Sequence, residues 1–169
     1  MAYFAAALAR SDGAWVGSEF DLDDVEDLDQ VVDMLRELAG DDSEGPALLF
    51  VEEDDEWFGV VRVDGDNDPR VFVSDSRVVE QSRVAGILYE EAAAQPVVEA
   101  EESEDDDDEE SMRPAAEPAG DAELVADLGT SSARLLELCA EEGQLPADII
   151  TAICERAGCL DELDQLRGT

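Results

Sequence analysis

The sequence predicts an α+β fold: an antiparallel sheet of about five strands with two helices, followed by an acidic linker and a small all-helical C-terminal part. Three observations predict it. Apolar runs of strand length, bounded by turn residues, recur between Tyr3 and Ser74. One segment among them carries helical periodicity with both ends specified. All nine aromatic residues, from Tyr3 to Tyr89, lie in the first 89 of 169 positions, so the composition changes midway along the chain.

The elements follow in order. Tyr3 to Arg10 and Ala14 to Phe20 are apolar-rich runs separated by Ser11-Asp12-Gly13, whose Gly supplies the positive φ of a short hairpin loop. Leu28, Val31, Val32, Leu35, Leu38 and Ala39 recur at helical spacing and share one face. Asp27 with Gln30 reads as a capping box and Gly40 as the residue that ends the helix, although Val25 would allow a backward extension. Ala47 to Glu52, Trp57 to Asp64 and Arg70 to Ser74 read as three more strands, joined by Glu53-Asp54-Asp55-Glu56 and by Asp64-Gly65-Asp66-Asn67-Asp68-Pro69. A weaker helical pattern runs through Val78, Val79, Ile87 and Leu88, with Gly86 as a point of interruption. The order for residues 1–95 is β-β-α-β-β-β-α, and the short connections favour an antiparallel sheet with its helices on one face.

Residues 96–120 hold Pro96, Pro114, Pro118 and the run Glu104-Asp-Asp-Asp-Asp-Glu-Glu110. Such a segment repels itself and has little apolar surface to bury, so it reads as a disordered linker. In residues 121–169 the groups Leu124, Val125, Leu128; Leu135, Leu136, Leu138, Cys139; and Ile149, Ile150, Ile153, Cys154 each run up to a Gly, at 129, 143 and 158. Leu160, Leu163 and Leu166 suit a last short helix. Four small helices without an aromatic anchor are marginal alone, so this part is expected to dock on the first domain or on a partner.

Charge excludes several functions. Asp and Glu number 47 against ten Lys and Arg, all of them Arg, for a formal net charge of −37. The acidity is global, since residues 1–96 alone hold 25 acids against six Arg. Direct nucleic-acid binding needs cations that displace counterions from phosphates, and an anionic membrane would repel this chain. With no His there is no Ser-His or Cys-His pair and no imidazole-held metal; with no Lys there is no Gly-Lys-Ser/Thr phosphate loop. No apolar run approaches the ~20 residues that span a bilayer. Three Cys make no disulfide framework and the N-terminus lacks a basic leader, which reads as a cytoplasmic, reduced protein.

The remaining motifs each have a simpler reading. Asp64, Asp66 and Asp68 have the odd-position oxygens of a calcium loop, but Pro69 stands at the sixth position, where a sharp turn needs Gly, and Asp75 at the twelfth, where a bidentate Glu belongs. A solvated turn fits better. Cys139, Cys154 and Cys159 lack a fourth ligand and a Cys-x-x-Cys spacing, so they read as small buried hydrophobes. Carboxylate pairs for acid-base chemistry discriminate nothing among 47 acids. No catalytic residue, cofactor or metal is expected. The candidate partner-binding residues are Glu52, Glu53, Asp54, Asp55, Glu56 and Trp57, where five carboxylates stand beside two aromatics. Alternation sends Trp57 and Phe58 to opposite faces of a strand, and an exposed Trp flanked by acids suits an interface with a basic rim. The competing reading is a solvated turn followed by core aromatics.

Met1-Ala-Tyr-Phe-Ala-Ala6, Asp21-Leu-Asp-Asp-Val-Glu-Asp-Leu28, Val51-Glu-Glu-Asp-Asp-Glu-Trp-Phe58, Val61-Arg-Val-Asp-Gly-Asp66, Asp68-Pro-Arg-Val-Phe-Val-Ser-Asp75 and Leu145-Pro-Ala-Asp148 together resemble the bacterial tRNA adenosine deaminase-associated proteins. The resemblance covers both ends of the chain and most of residues 1–90, and leaves out the acidic linker. It implies association with the deaminase and assigns no catalytic residue. A zinc deaminase itself needs a His-x-Glu and a Pro-Cys-x-x-Cys segment, and this chain has neither. The expected function is a non-enzymatic accessory protein that engages a basic partner, which the resemblance nominates as a tRNA adenosine deaminase. The alternatives are an acidic nucleic-acid mimic and a weak divalent-cation binder.

Overall fold

The computed structural model describes residues 3–11, 14–22, 24–40, 45–53, 56–64, 69–75, 82–92, 119–140 and 145–168. Strands β1 (Tyr3–Ser11), β2 (Ala14–Glu19), β3 (Pro46–Glu53), β4 (Trp57–Asp64), β5 (Arg70–Val73) and β6 (Ala119–Gly120) form one antiparallel sheet in the order β2-β1-β3-β4-β5-β6. Helices α1 (Leu28–Ala39) and α2 (Arg83–Ala92) precede β6, and α3 (Ser132–Ala140), α4 (Pro146–Ala157) and α5 (Leu160–Gly168) follow it. The fold is α+β.

α1 forms because Leu28, Val31, Val32 and Leu35 bury one face and both ends are satisfied. Asp27 Oδ1 accepts the Gln30 N–H at 3.2 Å, and Gln30 Oε1 accepts the N–H of Glu26, one residue earlier than in the usual box. Val25 stays outside the helix in a turn, its N–H donating to Leu22 O, yet it is buried against the same core. α2 runs through Gly86 without interruption, the Gly86 N–H donating to Ser82 O. Val78 and Val79 lie outside the described residues.

The sheet is covered on both faces, where the sequence suggested helices on one. The first core joins Ala5, Ala7, Leu49, Val51, Trp57, Val61 and Val73 to α1 and α2. The second joins Ala6, Leu8, Leu48, Phe50, Phe58, Val60 and Phe72 to Leu124, Leu135, Ile149, Ile150, Ile153 and Leu163 of the C-terminal part. Strand alternation divides β3 and β4 between the cores, so nearly every residue of both strands is buried. The missing aromatic anchor of the C-terminal part comes from the sheet, through Phe50, Phe58 and Phe72, with the Phe58 and Phe72 rings 6.0 Å apart between centroids.

The sixth strand is new. Ala119 and Gly120, which composition places at the end of the linker, pair with Val73 and Phe72, and the Asp121 N–H donates to Val71 O at 2.8 Å. Gly120 has φ of 105°, and a Cβ there would stand 2.1 Å from Val71 O. Only glycine brings the backbone this close. The first C-terminal helix of the sequence reading is a turn followed by a 3₁₀ segment at Ala126–Leu128.

Candidate partner-binding surface

The β3–β4 hairpin carries the residues singled out in the sequence. Glu53 and Trp57 face each other across the ladder, and the indole Nε1–H donates to Glu53 Oε1 at 2.9 Å. The Ser82 hydroxyl donates to the same oxygen while accepting the Ala85 N–H, so this carboxylate also anchors the start of α2. Trp57 is 1% exposed, Phe58 0% and Glu53 6%. The expectation of an exposed aromatic is therefore corrected: alternation does send Trp57 and Phe58 to opposite faces, but each face carries a core. Glu56 is exposed and Glu52 half-buried, and these are what the described part of the tip presents to solvent. Asp54 and Asp55 lie outside the described residues.

Three arginines, Arg62, Arg70 and Arg83, are held by groups of the protein itself. Arg62, buried on β4, donates Nη1–H to Leu124 O at 2.5 Å and to Asp127 Oδ1 at 2.6 Å, Nη2–H to Asp127 Oδ2 at 2.9 Å and Nε–H to Asp64 Oδ2 at 3.0 Å. Burial alone would lower its basicity, and hydrogen bonds and charge from Asp127 and Asp64 outweigh that effect, holding the guanidinium above its ordinary value. The same hydrogen bond from Arg62 pulls the Asp127 carboxyl below the usual carboxylate range, against a smaller opposing effect of burial. Arg70 Nε–H donates to Asp121 Oδ2 at 2.7 Å, and Arg83 binds the carbonyls of Leu22 and Val25. These arginines serve the fold. The sequence reading passed over Arg62, although a lone cation within Val60-Val-Arg-Val63 already signals a buried ion pair.

Carboxylates face outward. Asp29, Asp33 and Glu37, at successive four-residue steps, lie exposed along α1, and Asp24, Glu26, Asp148, Glu155, Asp161 and Asp164 are exposed on other elements. Among the described residues exposed carboxylates far outnumber exposed arginines, so the charge presented to solvent is mainly negative.

All three cysteines are buried in the second core. Burial, with a smaller contribution from Asp75, pushes the Cys139 thiol up to about 12, far from the range of a thiolate nucleophile at neutral pH. Among the described residues no three His, Cys, Asp or Glu side chains converge as a metal site. Gly65 to Asp68, the centre of the loop compared with a calcium site, lies outside the described residues. No helix among the described residues is long and apolar enough to cross a membrane.

A six-stranded antiparallel sheet between two helical layers, with a surface rich in exposed carboxylates, defines an acidic α+β protein. The family model of Rv3753c-like tRNA adenosine deaminase-associated proteins matches residues 3–160, and the chain belongs to that family. No curated protein and no solved structure matches the chain.

Proposed function

We propose that this is a non-enzymatic accessory protein that engages a cationic surface of a tRNA adenosine deaminase. One observation carries the reading: in a chain of net charge −37, Arg62, Arg70 and Arg83 are bonded to the protein's own carboxylates and carbonyls, while carboxylates face solvent. The family's description, deaminase-associated, nominates the partner. An enzyme that holds tRNA presents cations to phosphates, and an electronegative protein is steered to the same cations.

The test is co-purification of the tagged chain with the tRNA adenosine deaminase of the same cell at low salt, followed by addition of tRNA. A complex that tRNA displaces means that the carboxylates stand where phosphates would. A complex that tRNA leaves intact places the contact elsewhere on the enzyme. No complex at low salt would remove the reading.

A further inference from the structure

The two edges of the sheet differ. One is closed by β6, which pairs with β5 at Gly120 and Ala119. The other is β2, and among the described residues it pairs only with β1. The β1–β2 ladder is regular over six residue pairs, from Ser11 opposite Ala14 to Ala6 opposite Glu19. Its direction of hydrogen bonding follows from one contact: the Phe20 N–H donates to Ala5 O at 2.9 Å. In an antiparallel pair the bonded residues alternate, so Ser18, Val16 and Ala14 also address β1. Trp15, Gly17 and Glu19 then turn their N–H and C=O groups outward.

Exposed edges are usually blunted by a bulge, a proline or an inward-pointing charge. Ala14-Trp-Val-Gly-Ser-Glu19 has no proline and no charge before its last residue, and Val16 is 43% exposed. On the opposite face of the strand Gly17 contributes no side chain, and Leu8 and Leu166 of the second core fill the space over it, their Cδ atoms 3.0 and 3.2 Å from where a Cβ on Gly17 would stand, with Glu162 Cβ of α5 next at 3.6 Å. Glu19 is exposed on the same face as Gly17. Arg10, opposite Trp15, is the cation of this ladder. A second copy of the chain would bring another charge of −37 to the edge, which disfavours self-pairing.

We infer that the outer edge of β2 accepts an extended cationic segment of the partner as an added strand. The inference rests on the cationic partner proposed above and specifies how it is held. Backbone groups of Trp15, Gly17 and Glu19 supply the ladder, an apolar residue of the incoming strand covers Val16, and its Lys or Arg residues on the other face reach past Leu166 toward Glu162 and Glu19.

The experiment uses the full chain and two probes: a capped alternating Val-Lys hexapeptide, read by residue-resolved amide exchange, and the deaminase, read by affinity. With the peptide, exchange at Trp15, Gly17 and Glu19 is expected to slow by about tenfold or more while Val16 and Ser18, already bonded to β1, change little. Glu19→Pro removes an outward donor and keeps the β1 ladder, so it is expected to bind the deaminase about tenfold more weakly than the charge-matched Glu19→Gln. Absence of peptide protection at the three amides, or their protection by self-association of the chain alone, overturns the edge inference. Equal deaminase affinity of the two variants also overturns it while leaving the proposed function standing. Peptide protection without any deaminase complex supports the edge and rejects the deaminase as partner.

Discussion

The two faces of the sheet are covered by different means. On the first, α1 and α2 come from the same stretch of chain as the strands, and the polar contact is a local cluster of Trp57, Glu53 and Ser82 at the base of the hairpin. On the second, the cover comes from residues 119–168, held by apolar contact and by two ion pairs, Arg62 with Asp127 and Arg70 with Asp121, that span more than 50 residues of sequence. Aromatics are also unevenly supplied: in the second core every aromatic belongs to the sheet and the helices contribute aliphatics and cysteines. The difference teaches that the C-terminal part is not a bundle with its own centre. It completes a core that the sheet has begun.

The largest expected effect tests that asymmetry directly. Residues 1–95 produced alone would expose Phe50, Phe58 and Phe72, and should lose cooperative unfolding and bind a hydrophobic dye. A cooperative melt matching the full chain would show the two faces to be independent. Next in size, Phe58→Ala should cost about 3–5 kcal/mol in urea unfolding, the usual range for truncating a fully buried Phe. Trp57→Phe on the first face keeps most of the packing and removes the donor to buried Glu53, for about 1–3 kcal/mol. A reversed order would mean that the hairpin cluster, not the second core, dominates stability.

The smallest effect is pH-dependent. The Asp127 carboxyl lies below its ordinary value of 3.8 in the folded protein, so its pairing with Arg62 contributes in full above that value and is lost as pH falls through the lower, folded one. The stability gap between wild type and Asp127→Asn should therefore hold constant between about pH 5 and 7 and close below about pH 4. Arg62, held above its ordinary value, adds no change in that range. A gap that stays open in acid would assign the effect of Asp127 to packing instead.

Much of this comparison was legible in the sequence. The five longer strands, α1 with its caps and the C-terminal helices follow from periodicity and from Gly and Pro positions. The second covered face was legible in principle: Ala47 to Val51 and Trp57 to Val61 are unbroken apolar runs, which a strand with one solvated face would not tolerate. Reading them as half-buried led to the exposed aromatic that the structure corrects. β6 is two residues long, too short to carry a periodic signal, and its pairing depends on contacts from residues far along the chain. Of the candidate surface, the carboxylates were legible and their exposure was not. Whether an acid faces solvent, as Glu56 does, or caps a buried indole, as Glu53 does, is decided by tertiary packing.

The central claim is that this molecule acts through an electronegative exterior that meets a cationic protein. Its most direct test is the dissociation constant with the tRNA adenosine deaminase measured from low to physiological salt. The account predicts tight binding at low salt that weakens steeply as salt rises, chiefly through a slower association rate. An affinity that does not change with ionic strength would contradict it.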